Sequence, residues 1–142
     1  MHLVCPNCNA INRVPDSRLT DHPVCGRCGA DVAPAKPVPL NDSTLARFLE
    51  KTDAPVLVDF WADWCGPCKM YGPQFESLAA NRRDIRFVKV DSDASPQASM
   101  RFGVRSIPTT ILFQGGREVG RVSGALSAAQ LNQWLDGQLN KG

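Results

Sequence analysis

The chain has 142 residues, 43% of them hydrophobic and 21% charged, with a net charge of +2. That length suits one domain of ordinary size plus a small attachment, and the balance is that of a soluble globular protein. So small a charge argues against nucleic acid or an acidic membrane as partner, and no apolar stretch approaches the ~20 residues that span a bilayer.

The first residues, Met1-His2-Leu3-Val4-Cys5-Pro6, carry neither a basic region nor an apolar one. A secretory signal is therefore not expected, and the cytoplasm is. In that compartment paired cysteines serve metals or catalysis more often than structural disulfides. The six cysteines fall into three Cys-x-x-Cys pairs, Cys5/Cys8, Cys25/Cys28 and Cys65/Cys68. Equal spacing does not mean equal role, and the flanking residues separate them.

Residues 1–33 are short of apolar residues and rich in turn formers. Cys5-Pro6-Asn7-Cys8-Asn9 and Cys25-Gly26-Arg27-Cys28-Gly29 are two tight knuckles with 16 residues between them. Each knuckle folds two sulfurs toward one side of a metal, and two complete a tetrahedron, so Cys5, Cys8, Cys25 and Cys28 are expected to hold one structural zinc. Asn and Gly supply the turn conformations. A segment this small buries too little surface to fold on apolar contacts alone, and the metal supplies the missing free energy. The pattern resembles a zinc ribbon. Four thiolates also suit iron, but the segment lacks the aromatic residues of a rubredoxin-like core. His2 and His22 read as surface residues, since four cysteines already complete the site.

Ala33-Pro34-Ala35-Lys36-Pro37-Val38-Pro39 reads as an extended spacer over 34–39, with Val38–Leu40 alternatively the first strand of the next domain. Residues 40–142 alternate strand and helix signals. Asn41 or Asp42 is placed to cap a helix carrying Leu45, Phe48 and Leu49. Val56–Ala62 is a buried strand. The helix after it carries Cys65 and Cys68 at its start, puts Met70, Phe75 and Leu78 inward, and meets a kinking proline at Pro73. Arg86–Val90 is a second interior strand, and Ser95-Pro96 opens a short helix. Thr109–Phe113 and Glu118–Val122 flank Gly115-Gly116 as a hairpin. Ser127 and Gln130 form a capping box for a helix with Leu131, Trp134, Leu135 and Leu139 on one stripe. The order predicts an α/β fold, a mixed central sheet flanked by helices.

Cys65 and Cys68 lie where the buried strand gives way to a helix. A dithiol there reads as a redox centre. Unpaired N–H groups and the positive dipole end stabilise a thiolate at Cys65, and Cys68, one turn on and expected to be more buried, resolves the product. Pro67 sets the backbone at the helix start. Asp59 is a carboxylate in an otherwise apolar strand. It is expected to exchange a proton with Cys68, with a structural ion pair to Lys89 as the alternative.

Val58-Asp59-Phe60-Trp61-Ala62, Trp64-Cys65-Gly66-Pro67-Cys68-Lys69, Ser106-Ile107-Pro108-Thr109 and Val122-Ser123-Gly124-Ala125-Leu126 resemble the thioredoxin family in order and spacing. With a zinc ribbon in front, the chain is most similar to the bacterial zinc-containing, second type of thioredoxin. The resemblance implies the thioredoxin fold and a protein-disulfide reductase working through Cys65 and Cys68, with roles in electron transport and oxidative stress. It implies pairing of Asp59 with Lys89 near the resolving cysteine, and a cis bond at Ile107-Pro108 facing the redox pair. Trp64, Gly66, Pro67, Ile107, Pro108 and Gly124 would then form a flat substrate patch. Trp61 and Trp134 are expected in the core, and Tyr71 at the rim of the site. Recycling is expected from thioredoxin reductase, a flavoprotein using NADPH. No flavin or nicotinamide should bind this chain, because Gly115-Gly116 and Gly120 open no helix. Disulfide-bearing proteins are the expected substrates, and the chain is expected to act as a monomer. A binding module on a thioredoxin scaffold, and an oxidase or isomerase, are the rival classes. The intact redox pair opposes the first, and Gly66-Pro67 opposes the second.

Overall fold

The computed structural model describes residues 1–140, so the last two positions of the 40–142 expectation lie outside the described residues. Two short strands, β1 (His2–Val4) and β2 (Ile11–Arg13), form an antiparallel pair at the N-terminus. The larger sheet holds β3 (Val38–Leu40), β4 (Val56–Trp61), β5 (Arg86–Asp91), β6 (Thr109–Gln114) and β7 (Arg117–Ser123). Its order is β3-β5-β4-β6-β7. The pairings β3–β5 and β5–β4 are parallel, and β4–β6 and β6–β7 are antiparallel. The α/β expectation is met, with β3 falling on the alternative reading of Val38–Leu40.

Strand alternation divides the sheet's two faces. Val56, Val58, Phe60, Val88, Val90, Ile111 and Phe113 pack under α1 (Leu45–Lys51) and α3 (Pro96–Arg101). Leu57, Phe87 and Leu112 pack under α2 (Gly66–Asn81) and α4 (Ala128–Leu139) with Tyr71, Phe75, Leu131 and Leu135. Asp59 and Lys89 lie on this second face, side by side in the β4–β5 register. Gly115 and Gly116 turn the β6–β7 hairpin with φ of 59° and 78°, a tight geometry that favours glycine. Both bonds of the Ser127–Gln130 capping box are made, at 3.1 and 3.0 Å.

Four expectations are corrected. Asp42 does not cap α1. Its carboxylate accepts the Ala98 and Gln97 N–H groups at 2.7 and 3.2 Å and so caps α3, while Asn41 organises the turn before α1 through Ser43 and Thr44. Met70 is 73% exposed, and Tyr71 takes the inward position instead. A helix advances 100° per residue, so a one-residue error in phase turns an inner position outward. Tyr71 accordingly lies in the core and not at the rim. Trp61 and Trp134 are half-buried, each packed against the edge of a core cluster. Pro73 lies inside α2, as its sequence position implies, and the helix continues to Asn81.

The N-terminal segment is docked on the larger domain rather than held off by a spacer. Val4 joins the α1-side core and Ala54 joins the small core of the N-terminal segment. The Asp53 N–H donates to the His2 carbonyl at 2.8 Å, and Arg83 Nη2 donates to the Ala33 and Leu19 carbonyls at 2.9 and 3.3 Å.

Candidate active site and metal centre

The two N-terminal knuckles repeat one hydrogen-bonded turn. In the first, the Cys5 N–H donates to the Ala10 carbonyl at 2.8 Å and the Asn9 N–H to the Cys5 carbonyl at 3.0 Å. In the second, Cys25 donates to Ala30 at 2.7 Å and Gly29 to Cys25 at 2.9 Å. Asn9 and Gly29 occupy the matching left-handed position, with φ of 67° and 81°. The turns bring the four sulfurs within 4.8 Å of one another. Cys5–Cys28 and Cys8–Cys25 sulfurs are 3.6 Å apart. A tetrahedral site with ~2.3 Å zinc–sulfur bonds needs sulfurs about 3.8 Å apart, so the donor set fits zinc. N–H groups of Asn7 and Arg27 reach Cys5 and Cys25 at 3.4 Å, and Asn12 Nδ2 reaches Cys25 at 3.4 Å. Such donors favour thiolates: backbone bonding from Cys28, then Asn12, draws the Cys25 thiol down to about 6, whereas at Cys5 burial outweighs its N–H donors and pushes the thiol up to about 12. His2 and His22 face Asp53 and Asp31 with exposed side chains, as surface residues.

The second site begins where β4 leaves the sheet. Cys65 is the N-cap of α2, and its Sγ accepts the Cys68 N–H at 3.2 Å. Pro67 falls in the first turn, where no N–H is missed. Cys65 and Cys68 are joined as a disulfide with Cα atoms 5.2 Å apart. Burial does not separate them, at 4% and 5% exposure, contrary to the expectation of a more buried Cys68. Their surroundings do. Cys65 opens on a groove of about 640 Å³ with Trp64, Gly66, Pro67 and Ile107, whereas Cys68 lines a separate recess of about 280 Å³ with Trp61 and Lys89.

Ile107-Pro108 is cis, and the Ile107 carbonyl oxygen lies 3.7 Å from Cys65 Sγ. Trp64 is 71% exposed and is held by its Nε1–H, which donates to Asp93 at 2.8 Å. Asp93 is a residue that sequence reasoning missed; no pattern links it to a tryptophan 29 positions earlier. Gly124 does not line the groove. Its N–H donates to the Pro108 carbonyl at 2.9 Å and so ties the end of β7 to the cis-proline loop.

Asp59 is 1% exposed, and its Oδ1 has no hydrogen-bond partner. Burial pushes its carboxyl up to about 7, against a downward pull from Lys89. The Lys89 ammonium rests 4.8 Å above the Trp61 ring, and among the described residues no ion pair joins it to Asp59. The Asp59–Lys89 relation is thus one of field across neighbouring strands, not of contact.

The family model described as Thioredoxin matches residues 36–137, and that of the N-terminal part of Thioredoxin 2, a zinc ribbon, matches 4–30. The chain belongs to the thioredoxin family. Thioredoxin C-3 of Corynebacterium nephridii is 46% identical over 141 residues, covering 99% of this chain and 97% of that one. Thioredoxin 1 of Nostoc sp. is 44% identical over 101 residues, 70% of this chain and 94% of its own. A bifunctional thioredoxin reductase/thioredoxin of Mycobacterium leprae is 44% identical over 95 residues, 66% of this chain and 21% of its own length. This thioredoxin is a thiol-disulfide oxidoreductase whose chemistry is dithiol–disulfide exchange at Cys65 and Cys68.

Proposed function

We propose that this thioredoxin reduces disulfides of cytoplasmic proteins as a monomer and is recycled by a flavoprotein thioredoxin reductase. The observation that carries the reading is Cys65: its sulfur takes an N–H at the start of α2 while facing an open groove beside the Ile107 carbonyl. The reductase fused to a thioredoxin in the Mycobacterium leprae relative supports the recycling partner. The proposed organisation is a zinc ribbon over 1–33 holding one structural zinc on Cys5, Cys8, Cys25 and Cys28, a connection over 34–39 whose last two residues already belong to β3 of the larger sheet, and a thioredoxin domain over 40–142.

The reduced Cys65 thiolate attacks one sulfur of the substrate disulfide. The Cys65–substrate bond forms, and the other substrate sulfur leaves as a thiolate. Asp59 as carboxylate takes the Cys68 proton, and the Cys68 thiolate attacks Cys65 Sγ. The Cys65–Cys68 bond forms, the mixed disulfide breaks, and two electrons have passed to the substrate. Lys89 keeps the Asp59 carboxylate accessible near neutral pH by its field. Trp64, Gly66, Pro67 and Ile107 form the wall against which an extended substrate segment lies, with Pro108 and Gly124 fixing the Ile107 backbone.

Trapping tests the roles. Cys68→Ser should accumulate covalent substrate adducts that a reductant releases, and Cys65→Ser should accumulate none. The reverse pattern would exchange the two roles. A redox potential on the side of the strongly oxidising dithiols would reassign the protein as an oxidase.

A further inference from the structure

Beside Asp59 the core holds two hydroxyls that an apolar layer does not need. Tyr71 on α2 is fully buried, and its hydroxyl lies 2.7 Å from Thr110 Oγ1 on β6. Thr110 is also buried, and it is the cross-strand partner of Asp59. Residues directly opposite in an antiparallel ladder put their side chains on one face, about 5 Å apart. The hydroxyl pair and the carboxyl therefore lie buried on one face of the sheet, in the layer that also holds Leu57, Phe75 and Leu112.

Proton counting gives the pair a purpose. Two hydroxyls carry two donatable protons, and the bond between them uses one. Either oxygen can be its donor, so the pair can reorient and leave the other proton free. Asp59 Oδ1 is the orphaned acceptor of this layer. Phenylalanine and valine would fill nearly the same volume with no polar atom to satisfy.

We propose that Tyr71 and Thr110 are positioning residues for Asp59: their hydroxyl pair is the reorientable dipole that stabilises its ionised carboxyl. This rests on the role given to Asp59 above. Burial, opposed by the Thr110 bond and reinforced by the Asp59 charge, holds the Tyr71 phenol well above its usual range, so Tyr71 stays a neutral donor. The other ionisable groups on this side are Lys89 from β5 and, in the recess it shares, Cys68, Lys69 and Glu76 of α2 with Asp63 just before the helix, while Asp91 at the end of β5 accepts the Asp93 and Ala94 N–H groups at 3.0 and 3.3 Å. Strand β6 offers none, and Asp136 of α4 is turned to Arg82 at 2.7 Å.

The test is a ¹³C NMR titration of the Asp59 carboxyl in the oxidised full-length protein, where Cys65 and Cys68 have no thiol to titrate. Tyr71→Phe keeps the ring against Phe75, and Thr110→Val keeps the shape. Each should raise the midpoint, and the double variant should raise it by about one pH unit, an approximately fivefold loss of carboxylate at pH 7. The pH profile of mixed-disulfide resolution should move up by the same amount. A merely structural pair would lower the melting temperature and leave the midpoint alone. A midpoint within about 0.2 of wild type in the double variant overturns the proposal. Resolution rates untouched by Asp59→Asn overturn instead the catalytic part given to Asp59, whatever the titration shows.

Discussion

The ribbon quartet and the redox pair use the same Cys-x-x-Cys spacing in opposite surroundings. Cys5, Cys8, Cys25 and Cys28 sit on two matching turns whose N–H groups point at sulfur, and the turns face each other so that four sulfurs converge. Cys65 and Cys68 sit at a helix start above a buried strand, apart from the four other cysteines, and close on each other. The spacing brings two sulfurs to one side of a turn. What lies opposite decides whether they bind a metal or exchange a disulfide.

The largest effects come from removing the sulfurs of one site and reading the other. Cys65→Ser/Cys68→Ser should have no disulfide reductase activity and still bind one zinc per chain by elemental analysis. Cys25→Ser should lose the zinc and retain reduction within about threefold, because no ribbon residue lines the Cys65 groove. Zinc lost from the first variant, or activity abolished in a folded form of the second, would mean that the two sites are one.

A smaller effect separates the sites by charge. Sulfurs of the quartet are served by N–H donors, but the buried carboxyl of Asp59 has no partner at Oδ1. Its carboxyl rises from 3.8 to about 7 on folding. A raised carboxyl pKa costs no stability below the unfolded value. The cost grows as pH climbs from about 4 to about 7 and is constant above. The full displacement corresponds to roughly 4 kcal/mol, a ceiling that the buried amide of the variant reduces. Asp59→Asn should therefore stabilise the fold more at pH 8 than at pH 4, read from denaturant melts. An equal or smaller gain at pH 8 would show that the Lys89 field outweighs burial.

Both sites were legible in the sequence because each is local. Cys-x-x-Cys, the strand before it and the turn formers around the knuckles all lie within a few residues. Asp59 was legible as a charge in an apolar run, and Lys89 as the cation on the neighbouring interior strand. What escaped was set by register between distant segments. Asp42 caps a helix 55 residues away, Asp93 holds Trp64 across two loops, and Tyr71 meets Thr110 across the layer. One residue of helix phase placed Met70 inward and left Tyr71 at the rim. The docking of the ribbon was equally hidden, since prolines in the connection suggest a spacer and no local signal reveals that Val4 enters the larger core.

That docking yields the smallest expected effect and the finest test of whether ribbon and domain are one unit. Arg83, just after α2, donates from Nη2 to the Ala33 and Leu19 carbonyls and so clasps both ends of the second half of the ribbon. Its buried Nε has no partner, so part of the gain is offset by desolvation. Removing the guanidinium in Arg83→Ala leaves two carbonyls to water and should cost about 1–2 kcal/mol, or a few degrees in melting temperature. Reductase activity should be unchanged, because Arg83 lies outside the groove. Amide exchange should quicken within residues 1–33 and along the β1–Asp53 contact, and remain slow in β4 and β5. Uniform acceleration across the sheet would mean that the two cores melt as a single cooperative block. No acceleration in the ribbon would mean that the zinc and the Val4 contact hold it without the clasp.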